Sequence, residues 1–151
     1  FRSRLQHLAD RSLTRHLHTL QSATGPTILL DGRTVILLAS NDYLGLATHP
    51  EVVEAAIQAT RQYGAGAGAS RLVCGTLPPQ TDLEQALAGF KQTASALVFG
   101  SGYLANLGVI PSLIARGGLI LADRLCHASL IDGARLSGAD LRVYRHRDLN
   151  H

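Results

Sequence analysis

A chain of 151 residues, 46% hydrophobic and 17% charged, is long enough for one ordinary domain that buries roughly 70% of its unfolded surface. Its net charge of +3 comes wholly from the first eighteen residues, where Arg2, Arg4, Arg11 and Arg15 face only Asp10. The neutral remainder offers no basic face for nucleic acid, and no apolar run reaches the roughly eighteen residues of a membrane-spanning helix.

Leu5, Leu8, Ala9, Leu13, Leu17 and Leu20 recur at helical intervals among arginines and histidines, which predicts an amphipathic helix over 3–20. The Ile-, Leu- and Val-rich stretch from Thr27 to Ala39 surrounds Asp31-Gly32, a turn signal, and predicts a short hairpin. Thr48-His49-Pro50-Glu51 combines a capping hydroxyl, a first-turn proline and a glutamate three residues after the cap, so a helix runs on to Tyr63. The glycines of Gly64-Ala65-Gly66-Ala67-Gly68-Ala69 end it. That run loosely matches a dinucleotide fingerprint, but a helix rather than a strand precedes it, so it reads as close packing.

Thr81-Asp82-Leu83-Glu84 repeats the capping pattern, with Leu83, Ala86, Leu87 and Phe90 on one face of the helix that follows. Beyond it the rhythm becomes strand and helix by turns. A strand is expected over Ala96–Phe99, a helix from Tyr103 to about Ala115, a strand over Leu119–Ala122, a helix over Ala128–Leu136 and a strand over Leu141–Tyr144. Short apolar strands alternating with helices make this an α/β chain with a largely parallel sheet covered on both faces. The chain opens at Phe1 without an initiator methionine and stops at His151 just after a strand-like run, so both ends read as cuts.

Cys74 and Cys126 fit no Cys-x-x-Cys or metal-ligand spacing, so reduced thiols and no metal site are expected. The start has no charged-then-apolar signal pattern, and a cytoplasmic location is expected, although organelle transit peptides share its arginine-rich composition. No P-loop, His-Glu-x-x-His or nucleophile elbow occurs.

Three segments carry candidate chemistry. Ser101-Gly102-Tyr103 lies where a strand hands over to a helix, whose first amides lack partners and carry about half a positive charge. That makes an anion cup or an ordinary turn. His127, beyond the next strand, stands at the carboxyl end of a parallel sheet, where ligands bind. It could instead cap the following helix through Ser129. Asn41, in Ser40-Asn41-Asp42, is either an Asx turn or an uncharged donor and acceptor. Lys91, the only lysine, follows Phe90 at a helix end and reads as surface.

Taken in order, Leu38-Ala39-Ser40-Asn41-Asp42-Tyr43-Leu44-Gly45-Leu46, Ser101-Gly102-Tyr103-Leu104-Ala105-Asn106 and Asp123-Arg124-Leu125-Cys126-His127-Ala128-Ser129 resemble the amino-terminal half of the α-oxoamine synthases, over nearly the whole chain. The resemblance implies the type I fold of the pyridoxal-phosphate-dependent transferases, with residues 1–45 as an amino-terminal arm and hairpin and 46–151 as the first half of the large cofactor domain. It implies pyridoxal 5'-phosphate as cofactor, its phosphate on the amides of Gly102 and Tyr103, its ring stacked on His127, and its lysine beyond His151. It also implies a homodimer that joins an amino acid to an acyl thioester.

Arg15 aligns with an arginine that meets the distal carboxylate of a pimeloyl chain, and Asn41 with an asparagine that faces the substrate. With the Asn41-Asp42-Tyr43 spelling, they lean toward the biotin branch, which uses L-alanine and a pimeloyl thioester. The rival readings are the glycine acetyltransferase, 5-aminolevulinate synthase and serine palmitoyltransferase branches, or a non-catalytic dimerising remnant. Two departures from the family pattern are Gln80, where a histidine is common, and Arg147 in the usual His-Asn-Asp.

Overall fold

The computed structural model describes residues 2–148, so the outermost residues of both expected segments, Phe1 and 149–151, lie outside the described residues. The chain forms two compact units, Phe1–Gly68 and Ala69–His151.

In the first unit, helix α1 spans Arg2–Asp10, strands β1 (Thr27–Leu30) and β2 (Arg33–Ile36) form an antiparallel hairpin, and helix α2 spans Pro50–Tyr63. The hairpin turns on Asp31 and Gly32, both at positive φ (49° and 73°), the conformation whose twist suits paired strands. Ile28 is the buried side chain of this unit. The expected helix over 3–20 stops halfway. Ser12 adopts a left-handed φ of 54°, with Ser12 N bonded to the Ala9 carbonyl and Leu13 N to that of Leu8. Those two bonds close the helix as a Schellman turn. Leu13, Leu17 and Leu20 are exposed beyond it, so the helical spacing there had no packing surface to hold it.

Helix α2 starts one residue later than the hydroxyl suggested, with His49 as the flanking residue and Pro50 in the first turn. A single 3-10 turn over Leu46–Thr48 leads into it. The Asp42 carboxylate accepts from the amides of Leu46 (2.8 Å) and Ala47 (3.3 Å), which ties down that turn.

The second unit holds helices α3 (Pro78–Lys91), α4 (Gly102–Leu113) and α5 (Ala128–Ser137), with strands β3 (Leu119–Asp123) and β4 (Asp140–Tyr144). β3 and β4 pair in parallel, Leu119 opposite Asp140 and Asp123 opposite Tyr144, and α5 makes the crossover that parallel pairing requires. Helix α3 begins at Pro78 rather than at the Thr81 signal. The Gln80 side chain accepts from the Leu77 amide at 2.6 Å, which caps the start of this helix.

The expected strand over Ala96–Phe99 forms no ladder among the described residues. The Val98 amide donates instead to Glu84 at 2.8 Å, so one of its ladder groups is taken by a side chain. Ala134 and Ser129, both 1% exposed, mark the packed core of this unit, where α5 meets α4. By contrast, Leu119 and Leu121, on one face of β3, remain 54% and 67% exposed. A parallel sheet ordinarily buries both faces, so that surface has the character of one that packs against further protein.

Candidate functional site

Helix α4 opens with Ser101 as its cap. Ser101 Oγ accepts from the Leu104 amide at 3.2 Å, and its carbonyl takes the Ala105 amide at 3.0 Å. A helix start leaves the amides of the cap and of the next three residues without an intrahelical partner; the Ala105 bond is the first regular one, and the Ser101 hydroxyl takes that of Leu104. Within the first turn, the amides of Gly102 and Tyr103 are the ones left to face outward. A Cβ built on Gly102 would have no atom within 4 Å, so the approach to these amides is open space.

Helix α5 opens with His127. The Ser129 amide donates to His127 Nδ1 at 3.2 Å, so the imidazole itself caps the helix, while the residue as a whole is exposed. Capping and outward presentation are therefore compatible: one ring nitrogen faces the helix and the other is turned from it. His127 follows the carboxyl end of β3 by four residues, where open parallel sheets bind ligands.

The two helix starts are held in register. Asn106 Nδ2 donates to Ser129 Oγ at 2.9 Å, and Ile110 packs against Gly133, so α4 and α5 run alongside each other in the same direction. Their amino-terminal ends, with Gly102, Tyr103 and His127, therefore open at one end of the layer. Tyr103 adds a cross-link, its hydroxyl donating to Asp132 Oδ2 at 2.8 Å. That carboxylate raises the Tyr103 pKa above its ordinary value and keeps the hydroxyl protonated as a donor.

Asp123, at the end of β3, accepts from the Leu125 amide at 2.7 Å and lies 3.1 Å from His146 Nδ1. These contacts, the Leu125 amide foremost, hold its carboxyl below the ordinary range, so it stays ionised and joins the ends of β3 and β4. Among the described residues no cluster of three or more histidines, cysteines or carboxylates could hold a metal, and no helix is long and apolar enough to cross a membrane.

The remaining sequence candidates belong to the first unit. Asn41 is exposed and its Oδ1 accepts a long bond, 3.4 Å, from the Tyr43 hydroxyl. The turn-forming role falls to Asp42, which leaves the Asn41 amide group uncommitted to backbone. Arg15 is exposed, outside any helix, and forms no ion pair among the described residues. Lys91, in the second unit, is exposed, its ammonium 5.7 Å from the centre of the Phe90 ring.

Sequence reasoning passed over Asn106 and Asp132. A lone amide on the apolar face of Leu104-Ala105-Asn106-Leu107 was the available signal for the first, since a half-buried amide needs a partner. Nothing local marked Asp132, which gains its role only when α5 lies against α4.

The family described as aminotransferase class I and II matches residues 33–151. The chain belongs to the aminotransferase class I and II family. Within it, the chain is 50% identical over 146 residues to an 8-amino-7-oxononanoate synthase of Geobacter sulfurreducens, covering 97% of this chain and 37% of that protein. It is likewise 50% identical over 147 residues to the enzyme of that name from Chromobacterium violaceum, covering 97% and 38%.

Among solved structures, a serine palmitoyltransferase of Sphingomonas wittichii superposes with a TM-score of 0.85 at 34% identity, over 99% of this chain and 38% of that one. An 8-amino-7-oxononanoate synthase from Francisella tularensis gives 0.62 at 32% identity, over 74% and 31%. The fold is that of the type I pyridoxal-phosphate-dependent transferases, of which this chain shows the amino-terminal part. It spans less than two fifths of the length of the class I and II relatives named above.

Proposed function

We propose that the protein containing this chain is a pyridoxal-phosphate-dependent 8-amino-7-oxononanoate synthase. It would condense L-alanine with a pimeloyl thioester, release carbon dioxide and the free thiol, and leave the amino ketone. The observation that carries this reading is the shared end of α4 and α5, where two free helix-start amides and one imidazole converge. Identity of about 50% to synthases of that name, along nearly the whole chain, selects the branch.

The residues present fit the cofactor. A phosphate monoester carries close to two negative charges at neutral pH and suits a helix start with two open amides. Gly102 leaves room for it, because the space its missing Cβ would occupy is unfilled. When bound, pyridoxal phosphate supplies an electron sink that stabilises negative charge at the amino-acid α-carbon.

The chain's own residues do the holding. Gly102 and Tyr103 would donate their amides to the phosphate, Tyr103 staying in place through Asp132. His127 would lie flat against the pyridine ring and limit its tilt, with its outward nitrogen toward the substrate. Arg15 would pair with the far carboxylate of the pimeloyl chain, which a guanidinium fork suits, and Asn41 would line the substrate wall. Residues 1–45 would serve as the arm and 46–151 as the first half of the cofactor domain. A homodimer in the cytoplasm completes the reading.

A second reading, serine palmitoyltransferase, draws on the TM-score of 0.85 to enzymes of that name at 34% identity. Purified full-length protein decides between them. Ketone product from L-alanine and a pimeloyl thioester is expected. Product from L-serine and palmitoyl-CoA alone would select the second reading. A colourless protein that borohydride does not change and that makes neither product would leave the non-catalytic remnant.

A further inference from the structure

His127 is held from behind by Asn106 and Ser129, to which no role toward the cofactor or substrate has been given. Ser129 is 1% exposed, and its hydroxyl oxygen lies 2.7 Å from His127 Nδ1 and 2.9 Å from the Asn106 side-chain nitrogen. The Ser129 backbone amide also reaches Nδ1, at 3.2 Å. An amide N–H can only donate, so Nδ1 presents a lone pair and the proton of the neutral ring sits on Nε2. With Nδ1 as acceptor, the single Ser129 hydroxyl proton has one place to go at 2.7 Å, toward that nitrogen. The Ser129 oxygen is then left to accept, which is what the Asn106 amide group supplies.

The three side chains thus form a one-way relay, Asn106 N–H to Ser129 O–H to His127 Nδ1. It leaves no buried polar side-chain atom unpartnered among the described residues. We propose, resting on His127 as the residue against the cofactor ring, that Asn106 and Ser129 are positioning residues that fix His127 as the Nε2–H tautomer, so that it presents a donor rather than a lone pair to the substrate side. The tautomer of a functional histidine is commonly set by the partner of its other nitrogen, and the wrong tautomer disables a site whose geometry is otherwise intact.

Asn106→Asp tests this. The two side chains have nearly the same shape, but an ionised carboxylate can only accept, so the Ser129 hydroxyl turns toward it and offers its lone pair to Nδ1. The measurement is the nitrogen resonances of His127 in full-length, cofactor-free protein labelled with 15N-histidine, at alkaline pH, assigned by their loss in His127→Ala. In the parent protein Nδ1 is expected in the unprotonated range and Nε2 in the protonated range. In N106D only the Ser129 amide still donates to Nδ1, so the two tautomers compete and the Nδ1 signal moves out of the unprotonated range toward the protonated one, whereas Ser129→Thr, which keeps a hydroxyl, retains the parent pattern.

A parent protein with its proton on Nδ1 overturns the proposal, and so does an N106D spectrum identical to the parent. Should N106D not fold, the parent and S129T spectra still decide by the same criterion. Because the readout needs no cofactor, a protein that never binds pyridoxal phosphate would sink the functional reading while leaving the tautomer result standing.

Discussion

Gly133 lies against the carbonyl of Asn106 so closely that a Cβ built on it would stand 2.8 Å from that oxygen and 2.9 Å from Ile110 Cδ1. The absent side chain is what lets α5 approach α4 closely enough for Asn106 to reach Ser129. Local sequence gives no warning of this, because a glycine inside a helix ordinarily only weakens it.

Gly133→Ala is therefore expected to destabilise the full-length protein, by about 1–3 kcal/mol as for other overpacked contacts, despite the better helix propensity of alanine. The urea midpoint should fall with its slope unchanged. An unchanged or higher midpoint would mean the helices have room to spare.

Gly102→Ala should do the opposite to the fold. Gly102 is not at positive φ and its Cβ would meet nothing, so alanine is expected to leave stability unchanged or raise it by about 0.5–1 kcal/mol. The same methyl would intrude on the proposed phosphate position, and retention of pyridoxal phosphate should fall about tenfold, equivalent to roughly 1.4 kcal/mol. Equilibrium dialysis against the cofactor, alongside thermal melting, separates the two effects. Undiminished affinity would remove Gly102 from the cup.

Arg71 meets Glu84 through two bonds, 2.6 and 2.9 Å, and Glu84 also accepts from the Val98 amide. Arg71 first, then the Val98 amide, hold the Glu84 carboxyl at about 2, against an ordinary 4.5. A carboxyl with a lowered folded pKa stabilises the fold fully above the unfolded value and loses that contribution as pH falls through the folded one. Stability from this group should thus be lost from about pH 4.5 down through about pH 2. Glu84→Gln keeps an acceptor for Val98 but removes the titration. Urea midpoints across that window should fall less steeply for E84Q than for the parent, and parallel curves would show that the pair contributes nothing.

The same contacts show where the sequence was informative. Asp31-Gly32 and Pro50 specify their turn and helix start through backbone geometry that few residues adopt, so a local reading locates both. The strand expected at Ala96–Phe99 was read from apolar character alone, which cannot show that the Val98 amide is bonded to a carboxylate fourteen residues earlier. Helix α1 was overextended because leucine spacing continues past Asp10 whether or not anything packs on it. At the candidate site, Ser101 and His127 are legible as the caps that open α4 and α5, although among the described residues only His127 follows a strand. Asn106, Asp132 and Gly133 are not legible, since each matters only through the contact of α4 with α5.

Arg15 stands exposed, and its proposed partner is a carboxylate at the far end of an acyl chain. Arg15→Ala is expected to raise KM for the pimeloyl thioester by about 10- to 100-fold, as for loss of a charge-assisted bond of roughly 1.5–3 kcal/mol. The KM for L-alanine and the melting temperature should not move. An unchanged thioester KM would return Arg15 to the surface.

The most direct measurement is a crystal structure of the full-length protein with pyridoxal phosphate bound. The phosphate is expected within about 3 Å of the amides of Gly102 and Tyr103, with the pyridine ring lying against the His127 imidazole and the His127 Nδ1 still bonded to Ser129. A phosphate bound away from the start of α4, or a ring that does not touch His127, would contradict the account.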